Sequence, residues 1–208
     1  MAASMIAIVN YGIGNLDSVA RAFRKVGAEP VVTTDASALE RADGIVLPGV
    51  GSFDQAMNTL REHGLVPVLH RRAIEGKTPV LGICLGMQMF ARRSEEGETE
   101  GLGWLDAETV RFSDGSAKIP HLGWNDVQRL RDSALFNGIR GDAPFYFAHS
   151  YHVVCRDETD VLARTDYAVP FVSAVERGNL FGTQFHPEKS HANGLCVVHN
   201  FVKRCAYA

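Results

Sequence analysis

The chain has 208 residues, 46% apolar and 22% charged, with 21 Lys and Arg against 24 Asp and Glu for a net charge of −3. These are ordinary globular values, and they exclude disorder, collagen and coiled coil as the dominant state; a chain this long buries about 70% of the surface its unfolded form exposes. With no basic surplus, non-specific nucleic-acid binding is not expected, and four scattered cysteines without a CxxC pair fit neither a disulfide scaffold nor a zinc knuckle.

The length suits one domain spanning 1–208. The first residues, Met1 to Ile6, carry no basic n-region and no long apolar h-region. The longest mostly apolar stretch, Pro79 to Ala91, is too short to span a bilayer. A cytoplasmic protein without membrane contact is the expectation.

In chain order, Met5 to Val9 is a short apolar run rich in β-branched residues, closed by Asn10-Tyr11-Gly12-Ile13-Gly14-Asn15. Leu16, Val19, Ala20, Phe23 and Val26 then recur at helical spacing. Glu29 to Thr33 and Gly44 to Leu47 read as strands, the second ended by Pro48-Gly49-Val50-Gly51. Ser52 is placed to cap a helix that buries Phe53, Ala56, Met57 and Leu60. Pro79 to Ile83 is a fourth strand running straight into Cys84. This βαβαβ rhythm predicts an α/β three-layer sandwich with a mostly parallel central sheet.

The second half reads differently. Glu108 to Phe112, Pro144 to His149, Phe171 to Glu176 and Leu180 to Gln184 are short strands, the last two joined at Arg177-Gly178-Asn179, so the sheet should gain antiparallel strands late in the chain. A closing helix from about Ser190 to Arg204 should turn Leu195, Val198, Phe201 and Val202 inward. The acidic stretch Ser94 to Glu100 reads as a solvated loop. His149 and His152, three apart on one strand, should face opposite ways and share no metal.

The strongest chemical signal is Gly82-Ile83-Cys84-Leu85-Gly86-Met87-Gln88. Cys84 falls on a sharp strand-to-helix turn, the arrangement of a nucleophile elbow, with Gly82 and Gly86 leaving room for the backbone. The helix N-terminus favours a thiolate, and the Leu85 N–H points where an oxyanion would form. The other cysteines, Cys155, Cys196 and Cys205, read as core residues. The base best placed to serve the thiol is His186, at a strand end, with Glu188 two residues on to fix its tautomer. Gly49 and Gly51 permit an unusual peptide orientation, so the Val50 region could supply a second oxyanion donor. No Gly-Lys-Ser/Thr follows, so this is not a phosphate loop. Trp124 fits either a core or an interface.

Taken together, these segments resemble the class I (triad) glutamine amidotransferases: Gly82 to Gln88 and Gln184 to Glu188 match that family's two signatures. Asn10 to Asn15, Leu47 to Phe53, Pro120 to Asn125, His149-Ser150-Tyr151 and His186 to Ser190 look more narrowly like the glutaminase-subunit family of imidazole glycerol phosphate synthase. The resemblance implies a Cys84, His186 and Glu188 triad that hydrolyses L-glutamine through a thioester. It implies an oxyanion hole from Leu85 and the Val50–Gly51 region, and glutamine contacts by Gly49, Gln88, Glu96, Ser150 and Tyr151. It also implies a (β/α)8 barrel cyclase as partner, met by Asn15, Trp124, Tyr146 and Lys189, with no metal and no organic cofactor. The glutaminase of pyridoxal phosphate synthesis is the nearest alternative, but its Pro-Gly-Gly-Glu-Ser type of loop is absent at Pro48 to Ser52. A cysteine peptidase or a redox protein of the same fold would need neither Gln88 nor the His-Pro-Glu spacing.

Overall fold

The computed structural model describes residues 3–12, 14–113, 115 and 117–206. In chain order its elements are β1 (Met5–Val9), α1 (Leu16–Lys25), β2 (Glu29–Thr33), α2 (Ala36–Arg41), β3 (Gly44–Leu47), α3 (Phe53–Glu62), α4 (Leu65–His70), β4 (Val80–Ile83) and α5 (Leu85–Gln88). There follow β5 (Arg93–Ser94), β6 (Ala107–Arg111), β7 (His121–Arg129), β8 (Ala143–His149), β9 (Tyr151–Cys155), β10 (Val161–Asp166), β11 (Pro170–Arg177), β12 (Leu180–Thr183) and α6 (His191–Ala206).

The main sheet runs β2-β1-β3-β4-β12-β11-β10-β7-β8, with β9 joined to β11 and β6, and β5 to β6. It is parallel from β2 to β12 and antiparallel from β12 onward. The parallel strands bury both faces, and their residues alternate between two cores. Ala7, Val9, Ile45 and Leu47 face a core shared with Leu39, Phe53, Met57 and Leu65. Ile6, Ile8, Val46 and Leu81 face one shared with Val19, Phe23, Val198 and Phe201. Helices α2, α3 and α4 therefore cover one face and α1 and α6 the other, which is the layered α/β sandwich expected. The rings of Phe23 and Phe201 meet edge to face at 6.2 Å, tying α1 to α6.

Local chemistry accounts for the helix starts. The Asn15 side chain accepts from the Ser18 N–H at 3.2 Å, with Asp17 in the first turn of α1 and Arg24 and Lys25 in the last. Ser52 stands at the N-cap of α3 as expected, yet its side chain makes no capping bond. The Glu96 carboxylate takes that place, accepting from the Phe53 N–H at 2.8 Å.

Two further expectations are corrected. The stretch Ser94 to Glu100 is not simply solvated: Ser94 is buried, and the Asp54 carboxylate accepts from the N–H groups of Glu98 and Thr99 at 3.3 and 3.0 Å. In α6, Val197, Val198, Phe201 and Cys205 are buried, while Leu195 and Val202 are only partly covered. The inward stripe lies slightly to one side of the one read from the sequence.

Candidate active site

Strand β4 ends at Ile83, and Cys84 turns the chain into α5 with φ +54° and ψ −109°, a conformation that a residue with a side chain rarely adopts. Only glycine fits beside it. A Cβ on Gly82 would lie 2.7 Å from the Gly86 carbonyl, and one on Gly86 would drive into the Leu47 carbonyl oxygen. The helix is a single turn, four residues long, so its dipole is smaller than the sequence suggested. Its first N–H, that of Leu85, has no acceptor among the described residues.

The candidate base, His186, comes from the neighbouring strand. Although β12 is the last strand in the chain, it pairs in parallel with β4, setting Thr183 opposite Ile83. The Cys84 N–H donates to the Thr183 carbonyl at 2.7 Å. Cys84 and His186 thus meet at the carboxyl ends of adjacent strands, the edge of a parallel sheet where ligands collect. Both are buried, at 4% and 2% exposure. His186 Nδ1 lies 2.8 Å from Glu188 Oε1, and the Cys84 sulfur acts on the same ring. Sγ of Cys84 faces the Ala148 carbonyl at 3.8 Å and receives the Gln184 amide at 3.5 Å. Burial opposes an imidazolium at His186, but the Cys84 sulfur and the Glu188 carboxylate outweigh it, so the ring is held above the usual histidine range. Burial first, then acidic neighbours, push the buried thiols of Cys155 and Cys205 up to about 12.

A cavity of about 250 Å³ opens over the sulfur. Val50, Gly51, Leu85, Gln88 and Glu96 line one side, and Ser150 and Tyr151 the other. A larger cavity, about 710 Å³, lies at the opposite strand ends around His70, Lys77 and Arg204, away from both Cys84 and His186. The larger cavity is therefore not the one beside the elbow. Gly49 is not in the lining of the cavity over Cys84. It packs under Leu85 and the Tyr11 hydroxyl, where a Cβ would collide, and it borders a small adjoining cleft with Asn15, His186 and Lys189. Tyr11 donates to the Pro48 carbonyl, bracing this loop from 37 positions away. The Tyr151 carbonyl already accepts from Gln88 Nε2, at 2.9 Å.

The proposed interface residues are contiguous. Trp124 is 47% exposed, stacks on His191 at 5.0 Å and meets Tyr146 edge-on at 6.0 Å. Lys189 Nζ sits 5.6 Å from the Tyr146 ring, and Asn15 joins through the cleft it shares with Lys189. Leu122, 65% exposed, extends the apolar patch along β7.

One reading is overturned here. His149 and His152 are not on one strand facing opposite ways: β8 ends at His149, β9 begins at Tyr151, and both imidazoles pack on Phe112, at 5.3 and 4.6 Å. The reversal at Ser150 breaks the strand alternation. Sequence reasoning also missed Gln184 as a partner of the sulfur. The signal was its place in a strand end parallel to the elbow strand, beside Cys84 in register.

Comparison with known proteins agrees with this geometry. Residues 7–205 match the family model described as glutamine amidotransferase class-I. The chain is 44% identical over 201 residues to an imidazole glycerol phosphate synthase subunit HisH 2 of Methanococcus maripaludis, covering 96% of this chain and 100% of the relative. It is 48% identical over 197 residues to subunit HisH of Moorella thermoacetica, covering 94% and 93%. Among solved structures it resembles PurLQS from Thermotoga maritima with a TM-score of 0.78 at 21% identity, covering 97% of this chain and 99% of that one. The glutaminase domain of Trypanosoma brucei CTPS gives 0.64 at 20%, covering 98% and 94%; at such identities the likeness is one of fold. A family model matched over residues 7–205 and relatives 44% and 48% identical across nearly the whole chain lead to one conclusion: the chain belongs to the class-I glutamine amidotransferases, among the HisH subunits of imidazole glycerol phosphate synthase.

Proposed function

We propose that the chain is the glutamine-hydrolysing subunit of imidazole glycerol phosphate synthase, acting in histidine biosynthesis through Cys84, His186 and Glu188. The observation that carries this reading is the parallel pairing of β4 with β12, which sets a strained, glycine-flanked thiol beside an imidazole already oriented by a buried carboxylate. His186 takes the thiol proton, and Cys84 Sγ attacks the carboxamide carbon of L-glutamine. The oxygen gains negative charge and is held by the N–H of Leu85, with Val50 and Gly51 supplying the second donor. Collapse of the tetrahedral species breaks the C–N bond, and His186 returns the proton to the departing ammonia. Water, deprotonated by the same ring, cleaves the thioester to glutamate. Glu188 holds the ring in one tautomer throughout. Gln88, Glu96, Ser150 and Tyr151 grip the amino-acid end of glutamine, while Gly49 seats the oxyanion loop.

Ammonia protonated in bulk water is no longer a nucleophile, so it passes directly to a partner. That partner is a (β/α)8 barrel cyclase, which uses it to form imidazole glycerol phosphate and an aminoimidazole carboxamide ribotide. The exposed Leu122 and Trp124 fit a covered face, and Asn15, Tyr146 and Lys189 stand beside the same rim. No helix among the described residues is long and apolar enough to cross a membrane.

The test is the complex with its cyclase. Cys84→Ala is expected to lower glutamine-dependent synthesis by more than about 10⁴-fold, with ammonia-dependent synthesis kept. Loss of both activities together would defeat the division of labour, as would turnover of peptides or peroxide by the wild type.

A further inference from the structure

We propose that His121 and His149 are positioning residues for glutamine: a neutral imidazole pair that fixes the Tyr151 carbonyl, and through it the Gln88 amide, in the wall of the cavity over Cys84. The inference rests on the reading of that cavity as the glutamine site.

The hydrogen bonds have one possible direction. A carbonyl only accepts, so the contact of 2.8 Å between His149 Nδ1 and the Tyr151 oxygen places a proton on Nδ1. The Nε2 of that neutral ring must then accept, and His121 Nδ1 lies 3.0 Å away to donate. His121 Nε2 in turn accepts from the Asn125 amide at 3.3 Å. Beyond the carbonyl the chain continues: Gln88 Nε2 donates to the Tyr151 oxygen at 2.9 Å and to Gln184 Oε1 at 3.0 Å, and Gln184 Nε2 donates to Cys84 Sγ at 3.5 Å. A single polar path therefore runs from Asn125 on β7 to the reactive sulfur. A second proton on either imidazole would set N–H against N–H or N–H against an amide donor, breaking it.

The surroundings keep both rings neutral and still. His121 stacks on Phe147 at 4.7 Å and on Tyr167 at 3.9 Å, and His149 packs on Phe171 at 5.0 Å. Burial pushes His121 down to about 4 and His149 to about 3, with no carboxylate among the groups that act on either ring. Aromatic packing alone would be served as well by phenylalanine. The matched donors and acceptors are what packing does not explain. The pleat gives β7 two faces: His121 and Asn125 point in on one, Leu122 and Trp124 stand out on the other.

The experiment compares His121→Phe with His121→Asn in the complete complex. Phenylalanine keeps the ring stack and removes the donor; asparagine restores an amide N–H near the position of Nδ1. For His121→Phe the KM for glutamine is expected to rise about tenfold with kcat changed less than about threefold, the scale of one buried hydrogen bond. Ammonia-dependent synthesis should stay at the wild-type rate, and asparagine should recover most of the KM. An unchanged KM in a folded His121→Phe complex, or an equal fall in glutamine- and ammonia-dependent synthesis, would overturn the proposal. If His121→Phe does not fold, His149→Asn against His149→Leu asks the same question, since only asparagine can still donate to Tyr151; equal KM values for that pair would also overturn it. A wild-type complex that fails to hydrolyse glutamine would sink the functional reading itself, whatever the variants do.

Discussion

Two buried imidazoles near Cys84 are shifted in opposite directions. His186 lies between a carboxylate and a sulfur and is held above the usual histidine range; His149, bonded to a carbonyl and to a second neutral ring, is pushed down to about 3. Burial opposes the charged form of both, so burial does not decide the sign; the charge of the neighbours does. One ring is thereby made ready to hold and hand over a proton. The other is made unable to take one, which suits a part whose task is to keep a shape.

The contrast can be broken most severely at Glu188. Glu188→Gln removes the charge that supports the His186 imidazolium while keeping a hydrogen-bond partner. Glutaminase kcat/KM in the complex should fall about 10²- to 10⁴-fold, and the alkaline limb of its pH profile should move to lower pH, because the unsupported ring gives up its proton sooner. A profile that does not move would mean Glu188 acts only through geometry.

A smaller effect sharpens the neutral side. His149 is faced by His121, His152 and His186, and His121 by His149 and the ring of Tyr167. Their folded values lie below the ordinary 6.5, so between about pH 3 and 6.5 the unfolded chain binds more protons than the folded one. The stability these neutral rings contribute is complete above pH 6.5 and is lost as pH falls through that window, at up to about 1.4 kcal/mol per pH unit for each ring. Denaturant melts of His121→Phe at pH 7 and pH 4.5 should therefore show a shallower acid loss than the wild type. The mildest test is Asn125→Ala. It removes the donor to His121 and a bond of 2.9 Å to the Asp166 carbonyl, and should cost about 1 kcal/mol with kcat unchanged.

Much of this was legible in the sequence because it is local. The bounds of β2 and β3 follow from apolar runs closed by polar or Pro-Gly punctuation, and the elbow follows from a cysteine between two glycines after such a run. Cys84, His186 and Glu188 can be grouped from the sequence because strand ends in a parallel sheet share a rim. What was lost depends on register and on long-range capping. The bond from Gln184 to Cys84 requires knowing that β12 slots in beside β4. The role of Glu96 at α3 bridges 43 positions, so a run of acidic residues there looked merely solvated. His149 and His152 were misplaced because nothing in Ser150 announces a reversal, and the pairing of His121 with His149 appears only once β7 and β8 are set side by side.

The place of β12 has a consequence for how the protein comes into being. Thr183 docks beside Ile83 only after a hundred further residues have been made, and the imidazole follows three residues later. Until then the emerging polypeptide carries Cys84 without the His186 imidazole beside it. Linking residues so distant slows maturation, since loop closure must precede the reward.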